Sequence, residues 1–136
     1  MRDKDSQMRE KRYIIPLRPL PWRRAGISGT KFYDTQVNQK IAFGLYLLRC
    51  HGSDPIFSGP VELDVTFFMT TAQQRHKQPK TYHYATPDLD NLVKLLLDAI
   101  VDTKAILTDD RIISVMHAKK VYDSSPRTEF TIRELE

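Results

Sequence analysis

Residues 86–110 read Thr-Pro-Asp-Leu-Asp-Asn-Leu-Val-Lys-Leu-Leu-Leu-Asp-Ala-Ile-Val-Asp-Thr-Lys-Ala-Ile-Leu-Thr-Asp-Asp. Asp88, Asp90, Asn91, Lys94, Asp98, Asp109 and Asp110 surround one short apolar stripe. Pro87 suits a first helical turn, and Leu89, Leu92, Val93, Leu96 and Ile100 recur at helical spacing, which predicts a helix from about Asp88 to Val101. Asp90, Lys94 and Asp98 then lie four apart along one edge of the polar face. Asp88 projects from the first turn beside them.

Two carboxylates separated by one residue at a helix entrance can point at one hard cation if the backbone there is not yet regularly helical. Mg²⁺ or Mn²⁺ fits that donor set, because both take oxygen ligands and keep waters for a substrate phosphate. A third acid has to come from elsewhere. Asp109 and Asp110 are the candidates, since a short return after Val101 carries them back toward the helix start. The matching chemistry is attack of activated water on a phosphodiester. Lys94, one turn beyond Asp90, is placed to bind the scissile phosphate or to stabilise the extra charge of the transition state.

Taken singly, each acid has an ordinary explanation. Asp88 as an N-cap, Asp90 at the positive end of the helix dipole, Asp98 as a solvated partner for Lys94, and Asp109 and Asp110 as turn residues ahead of a strand all satisfy local rules. Capping needs one acid, however. It explains neither the second acid, nor the lysine, nor the downstream pair.

Asp88-Leu-Asp-Asn-Leu-Val-Lys94, then Leu97-Asp-Ala-Ile100, then Thr108-Asp-Asp-Arg-Ile-Ile113 resembles the signature of the RusA-type Holliday junction resolvases, small dimeric endonucleases that cut four-way DNA junctions. The family pattern is Asp-x-Asp-Asn-x-x-Lys, then Asp-Ala, then an Asp-Asp pair opening a strand, and every position is filled here in order. The resemblance covers the chain from about Thr81 onward. It implies that Asp88, Asp90 and Asp110 bind Mg²⁺ and that Lys94 is the catalytic lysine. Asn91, Asp98 and Asp109 are possible supporting residues, and a homodimer acting on branched DNA is implied with them.

Composition sets the limits of the remaining expectations. At 136 residues the chain fits one domain, of a size that a dimer interface would help. Its formal net charge is +4, a moderate excess suited to nucleic acid. Arg2, Lys4, Arg9, Lys11, Arg12, Arg18, Arg23, Arg24 and Lys31 crowd the first part, and Arg75, His76, Lys77 and Lys80 precede the acidic centre. Bases flanking central acids suit a metal-dependent nuclease, the bases holding backbone phosphates; the alternative is ordinary surface charge. Arg23, Arg24, Arg75, Lys77, Lys80, Lys119 and Lys120 are the candidate DNA contacts. Cys50 is the single cysteine, so no internal disulfide forms and a reducing compartment follows. With no signal-like or membrane-length apolar run, the expectation is a cytoplasmic protein with no membrane partner.

Outward from the central helix, Met1 to Arg12 reads as a flexible leader, and 13–136 as the single RusA-like domain that the resemblance implies. Tyr13 to Leu17 is a short strand. Trp22, in a Pro- and Gly-containing loop with Arg23 and Arg24, either stacks on or wedges DNA or covers the core. A helix from Asp34 or Thr35 to about Cys50 places Val37, Ile41, Leu45 and Leu48 on its core face, with Phe43, Tyr46 and Leu47 left to widen the apolar surface toward a second subunit. Val61 to Met69 alternates as the cleanest strand, with Glu62 and Asp64 turned to solvent. Thr70 to Tyr84 is a flexible loop beside the active site, in which His83 is either a proton donor or incidental. Ile112 to Tyr122, with Ile113 and Val115 sharing a face, and Thr128 to Leu135, with Phe130 and Ile132 inward, make an antiparallel hairpin.

These elements assemble into an α+β single domain, a mixed β-sheet with two main helices packed largely on one face. The function they support is a Mg²⁺-dependent, structure-selective DNA endonuclease. Two alternatives stand beside it: a non-catalytic junction-binding or nucleic-acid-binding protein on the same fold, and an unrelated interaction domain with no salt-dependent DNA affinity.

Overall fold

Strict alternation over Val61–Met69 sets the sheet, because only a strand turns every second side chain to one face. The computed structural model describes residues 8–24, 26–28, 31–33, 35–70 and 81–136. In chain order these form β1 (Glu10–Ile15), β2 (Gly26–Ser28), β3 (Lys31–Tyr33), α1 (Val37–His51), β4 (Val61–Met69), α2 (Leu89–Asp102), β5 (Ile113–Tyr122) and β6 (Arg127–Glu134). Four strands make a mixed sheet in the order β1-β6-β4-β5, and β2 and β3 pair separately. Val61, Leu63, Val65, Phe67 and Met69 are buried, as are Tyr13, Ile15, Phe130 and Ile132 on the neighbouring strands. Both helices press into that same core, through Phe43 and Leu47 of α1 and Leu92, Leu95, Leu96, Ala99 and Ile100 of α2. The α+β architecture is therefore the expected one. No helix among the described residues is long and apolar enough to cross a membrane.

The opposite sheet face is polar and cross-linked by charge. Arg133 reaches Glu10 at 2.8 Å and Glu62 at 3.3 Å, and Arg12 meets Glu129 at 2.6 Å. Glu62 is thus an ion-pair partner on the solvent side, and Asp64 beside it is exposed.

Four details differ from expectation, each for a physical reason. The last two strands are not a hairpin: β4 lies between them, parallel to β5 and antiparallel to β6. The link after Tyr122 steps across the end of β4, where the Asp123 N–H donates to the Met69 carbonyl at 2.8 Å. Burial of β4 wins over the local turn signal. Second, a register shift between Val61 and Glu62 sets Val61 opposite Ile113 but Glu62 opposite Val115, so Ile113 and Val115 face opposite ways. Third, β1 begins at Glu10 rather than Tyr13, pairing Glu10 with Arg133, so the leader extends no further than Arg9; residues 1–7 lie outside the described chain.

The fourth correction concerns α1. Val37, Ile41, Leu45 and Leu48, expected inside, are exposed by 46, 56, 61 and 41%. Phe43, Gly44, Leu47 and His51 are inside instead. The helix carries two apolar stripes, and periodicity cannot choose between them. Tertiary fit chooses: His51 Nδ1 pairs with the Tyr13 hydroxyl at 2.7 Å, and Gly44 faces α2, where an added Cβ would sit 3.6 Å from the Thr103 methyl. The helix begins at Val37 with Gln36, not Thr35, in the cap position; Asp34 is outside the described residues. At the other end Gly52, at φ 61°, lets its N–H return to the Leu48 carbonyl at 2.9 Å.

Candidate active site

Helix α2 presents the acidic edge that its sequence promised, one residue later than expected. Asp88 occupies the cap position in extended backbone, and its carboxylate makes no capping hydrogen bond. That side chain is exposed and uncommitted, which the capping explanation does not account for. Pro87 precedes the helix rather than opening it, and the Thr86–Pro87 peptide is cis. Asp90 and Lys94 are exposed and Asp98 is half-buried along the same edge. Asp90 Oδ1 accepts from the Asn91 N–H at 2.9 Å.

The return from α2 is held by backbone. Thr103 ends the helix with its hydroxyl donating to the Ile100 carbonyl at 2.7 Å. The Phe57 N–H donates to Ile106 at 2.7 Å and the Phe57 carbonyl accepts from Thr108 at 3.1 Å, with Ile106 and Leu107 fully buried between. This clamp delivers Asp109 and Asp110 to the mouth of β5, where Asp109 accepts from the Arg111 N–H at 2.9 Å and opens a short 3-10 turn over Asp110–Ile112.

Asp110 returns to Asp98 in the middle of α2, not to the helix start. Its carboxyl is raised above the ordinary carboxylate value, first by a hydrogen bond with Asp109, then by desolvation and by the negative charges of Asp109 and Asp98. Asp109 is lowered, by the Arg111 N–H first and by Asp110 second. The two acids share a proton, one side donating and the other accepting. Among the described residues no three acidic, histidine or cysteine side chains converge into a ready-made metal cage. The structure thus gathers Asp98, Asp109 and Asp110, and leaves Asp88 and Asp90 half a helix away along the same edge. The donor set is nonetheless one of hard oxygens, with an uncommitted carboxylate at Asp88 and mutual repulsion around Asp110, both of which a divalent cation would satisfy.

Three neighbours of this edge were not legible as such in the sequence. Trp22 neither waits in solvent nor simply fills the core: its N–H donates to the Asn91 carbonyl at 2.8 Å, and the Lys94 ammonium stands 5.0 Å from its ring centroid. Gln36 holds the loop that carries Trp22, accepting from the Arg23 N–H at 2.9 Å and donating to the Pro21 carbonyl at 2.8 Å. Lys120 lies opposite Phe67 on the core side of the sheet and ties down the approach to α2, donating to the Ala85 and Pro87 carbonyls at 2.8 and 2.7 Å. The register shift at Val61 is what turns Lys120 this way and Lys119 outward.

The remaining basic candidates divide. Arg23, Arg24 and Lys119 are exposed, while Arg75, Lys77 and Lys80, with most of the loop from Thr70, lie outside the described residues. The segment Thr81–His83 runs along the outer edge of β5, with the His83 N–H donating to Lys120 at 3.0 Å and the Tyr122 N–H to Thr81 at 3.0 Å. His83 is buried, 4.9 Å from the Tyr122 ring centroid, and burial followed by the charge of Lys120 holds its imidazole below the usual value. It lines a cavity of about 410 Å³ with Arg18, Arg23, Thr70 and Thr86.

The profile of the family described as endodeoxyribonuclease RusA matches residues 16–133 of this chain. A crossover junction endodeoxyribonuclease rusA from Lactococcus phage r1t is 42% identical over 123 residues, spanning 86% of this chain and 91% of that relative.

Proposed function

The chain belongs to the RusA family of endodeoxyribonucleases, and on that premise we propose that it resolves four-way DNA junctions as a Mg²⁺-dependent homodimer in the reducing cytoplasm. One observation carries the assignment of residues: Asp90, Lys94 and Asp98 share an edge of α2, and the clamp at Phe57 delivers Asp110 beside Asp98. The family implies a divalent metal, and Mg²⁺ or Mn²⁺ suits an all-carboxylate donor set. Asp88, Asp90 and Asp110 would hold it. When bound, the cation polarises a phosphate oxygen and activates water. Asp98 and Asp109 crowd Asp110 with negative charge and so favour its occupancy. Lys94 faces the scissile phosphate and offsets the charge that develops on it. Exposed Arg23 and Arg24 grip flanking phosphates without reading sequence.

Paired incision needs two matched sites, and an isologous dimer supplies them. The outward stripe of α1 suits that role because it is self-complementary. Ile41 and Leu45 form a ridge, and beside them Gly44, Ala99 and Thr103 help line a groove of about 240 Å³. Lys40 and Asp102 border the same groove with opposite charges. A second copy related by a two-fold axis sets ridge into groove twice. Helix α2 runs from the acidic edge to this groove, so the interface also fixes how far apart the two sites stand.

Cleavage of a synthetic mobile four-way junction, against linear duplex of the same sequence, tests this function. Metal-dependent paired nicks are expected, absent with chelator and absent in Asp90→Asn, which should bind the junction at least as well as wild type. Tight binding by the wild type without nicks would replace the enzyme by the non-catalytic alternative.

A further inference from the structure

We infer that Gln36 is a positioning residue for Lys94, acting through Trp22. The inference rests on the proposed role of Lys94 at the scissile phosphate and extends it to a residue on the other helix. Glutamine is a poor helix cap, and Gln36 makes no capping hydrogen bond although it occupies the cap position of α1. Its amide is turned the other way, into the loop. The carbonyl oxygen takes the Arg23 N–H and the amide nitrogen donates to the Pro21 carbonyl, so one planar group holds the peptide units on both sides of Trp22. Gln36 is only 5% exposed, so water cannot readily substitute for these bonds.

From Trp22 the restraint passes to α2. Its backbone N–H is fixed to the Asn91 carbonyl, and its indole face lies under the ammonium of Lys94, one turn further on. At 5.0 Å this is within the range of attraction between a cation and an aromatic face. Lys94 is exposed and has no ion pair among the described residues, so the indole is what restrains an otherwise free four-carbon chain. Asp90 and Asp98, four residues to either side, would otherwise draw the ammonium along the helix edge. Gln36 therefore keeps the lysine charge off the carboxylates and leaves them for the metal.

Trp22 is the chain's single tryptophan, so its fluorescence reports on the contact directly. Gln36→Met keeps length and volume and removes both bonds. In the full-length protein this variant should cut a four-way junction about tenfold to a hundredfold more slowly at saturating DNA, the loss typical of a misplaced catalytic group, with junction affinity unchanged. Trp22→Leu should lose as much, Trp22→Phe should recover most of the rate, and the Gln36→Met/Trp22→Leu pair should be no slower than Trp22→Leu alone. A readout independent of cutting is the emission of Trp22: Lys94→Met should change it in the wild-type background and not in the Gln36→Met background. Wild-type turnover by a folded Gln36→Met protein, or emission indifferent to Lys94→Met, overturns the inference. Should Gln36→Met fail to fold, the Trp22 variants and the emission of Lys94→Met decide alone. A wild-type chain that never cuts junctions would instead defeat the nuclease assignment, and the emission comparison would still decide the contact.

Discussion

Truncating Leu45 should weaken the dimer without weakening the fold. Leu45 is 61% exposed in the single chain, and full burial of a leucine is worth about 1.5–3 kcal/mol, so covering the exposed part contributes about 1–2 kcal/mol per copy. An isologous interface counts every contact twice, giving about 2–4 kcal/mol per dimer, or roughly a thirty-fold to several-hundred-fold rise in Kd for Leu45→Ala. Leu45→Glu adds two carboxylates to an apolar contact and should abolish association altogether. Sedimentation velocity over a range of concentrations measures both, with circular dichroism to confirm that the monomer is folded. The functional counterpart is a shift from paired to single nicks in a junction. A Leu45→Glu protein that dimerises like wild type would remove this face from the interface. A wild type that stays monomeric at every concentration would remove the dimer itself.

Tyr13→Phe should lower stability by about 1–3 kcal/mol in urea unfolding, because it leaves buried His51 with neither ring nitrogen paired; an unchanged midpoint would show that the 2.7 Å bond contributes nothing. Burial pushes the Tyr13 phenol above its ordinary value, so the hydroxyl stays protonated and donates to Nδ1. Arg127 holds Glu129 below its ordinary 4.5 and pairs with Asp123, which is also lowered. Lowered folded-state values mean that this stabilisation is present above the unfolded value and is lost as pH falls through the folded one. Arg127→Met should therefore be less stable than wild type at pH 7, with the two thermal melts converging below about pH 4.5; a constant gap across that range would exclude the linkage. Lys94→Ala should slow cutting by about a hundredfold to a thousandfold while leaving Mn²⁺ affinity, followed by calorimetry, as in wild type. Equal losses of both would make Lys94 part of the metal site rather than of the phosphate site.

What the sequence determined by itself is local and periodic. The stripe Leu89, Leu92, Val93, Leu96, Ile100 placed α2 to within a residue, and its four-residue spacing put Asp90, Lys94 and Asp98 on one edge. The alternation of Val61–Met69 determined which face of β4 is buried, since a period of two admits only that face. The filled pattern from Asp88 to Asp110 led to the family that the comparisons then showed. Tertiary structure decided whatever needed two segments at once. Two apolar stripes on α1 have the same period, so only the Tyr13–His51 bond and the close approach at Gly44 settle which one turns inward. A turn signal after Tyr122 is the same whether or not another strand intervenes, and the buried β4 took the place between β5 and β6. A one-residue register shift, invisible in composition, turned Lys120 to the foot of α2 and Lys119 to solvent. Gln36, Trp22 and Lys94 are separated by many residues, and only packing of the two helices brings an amide, an indole and an ammonium into one line.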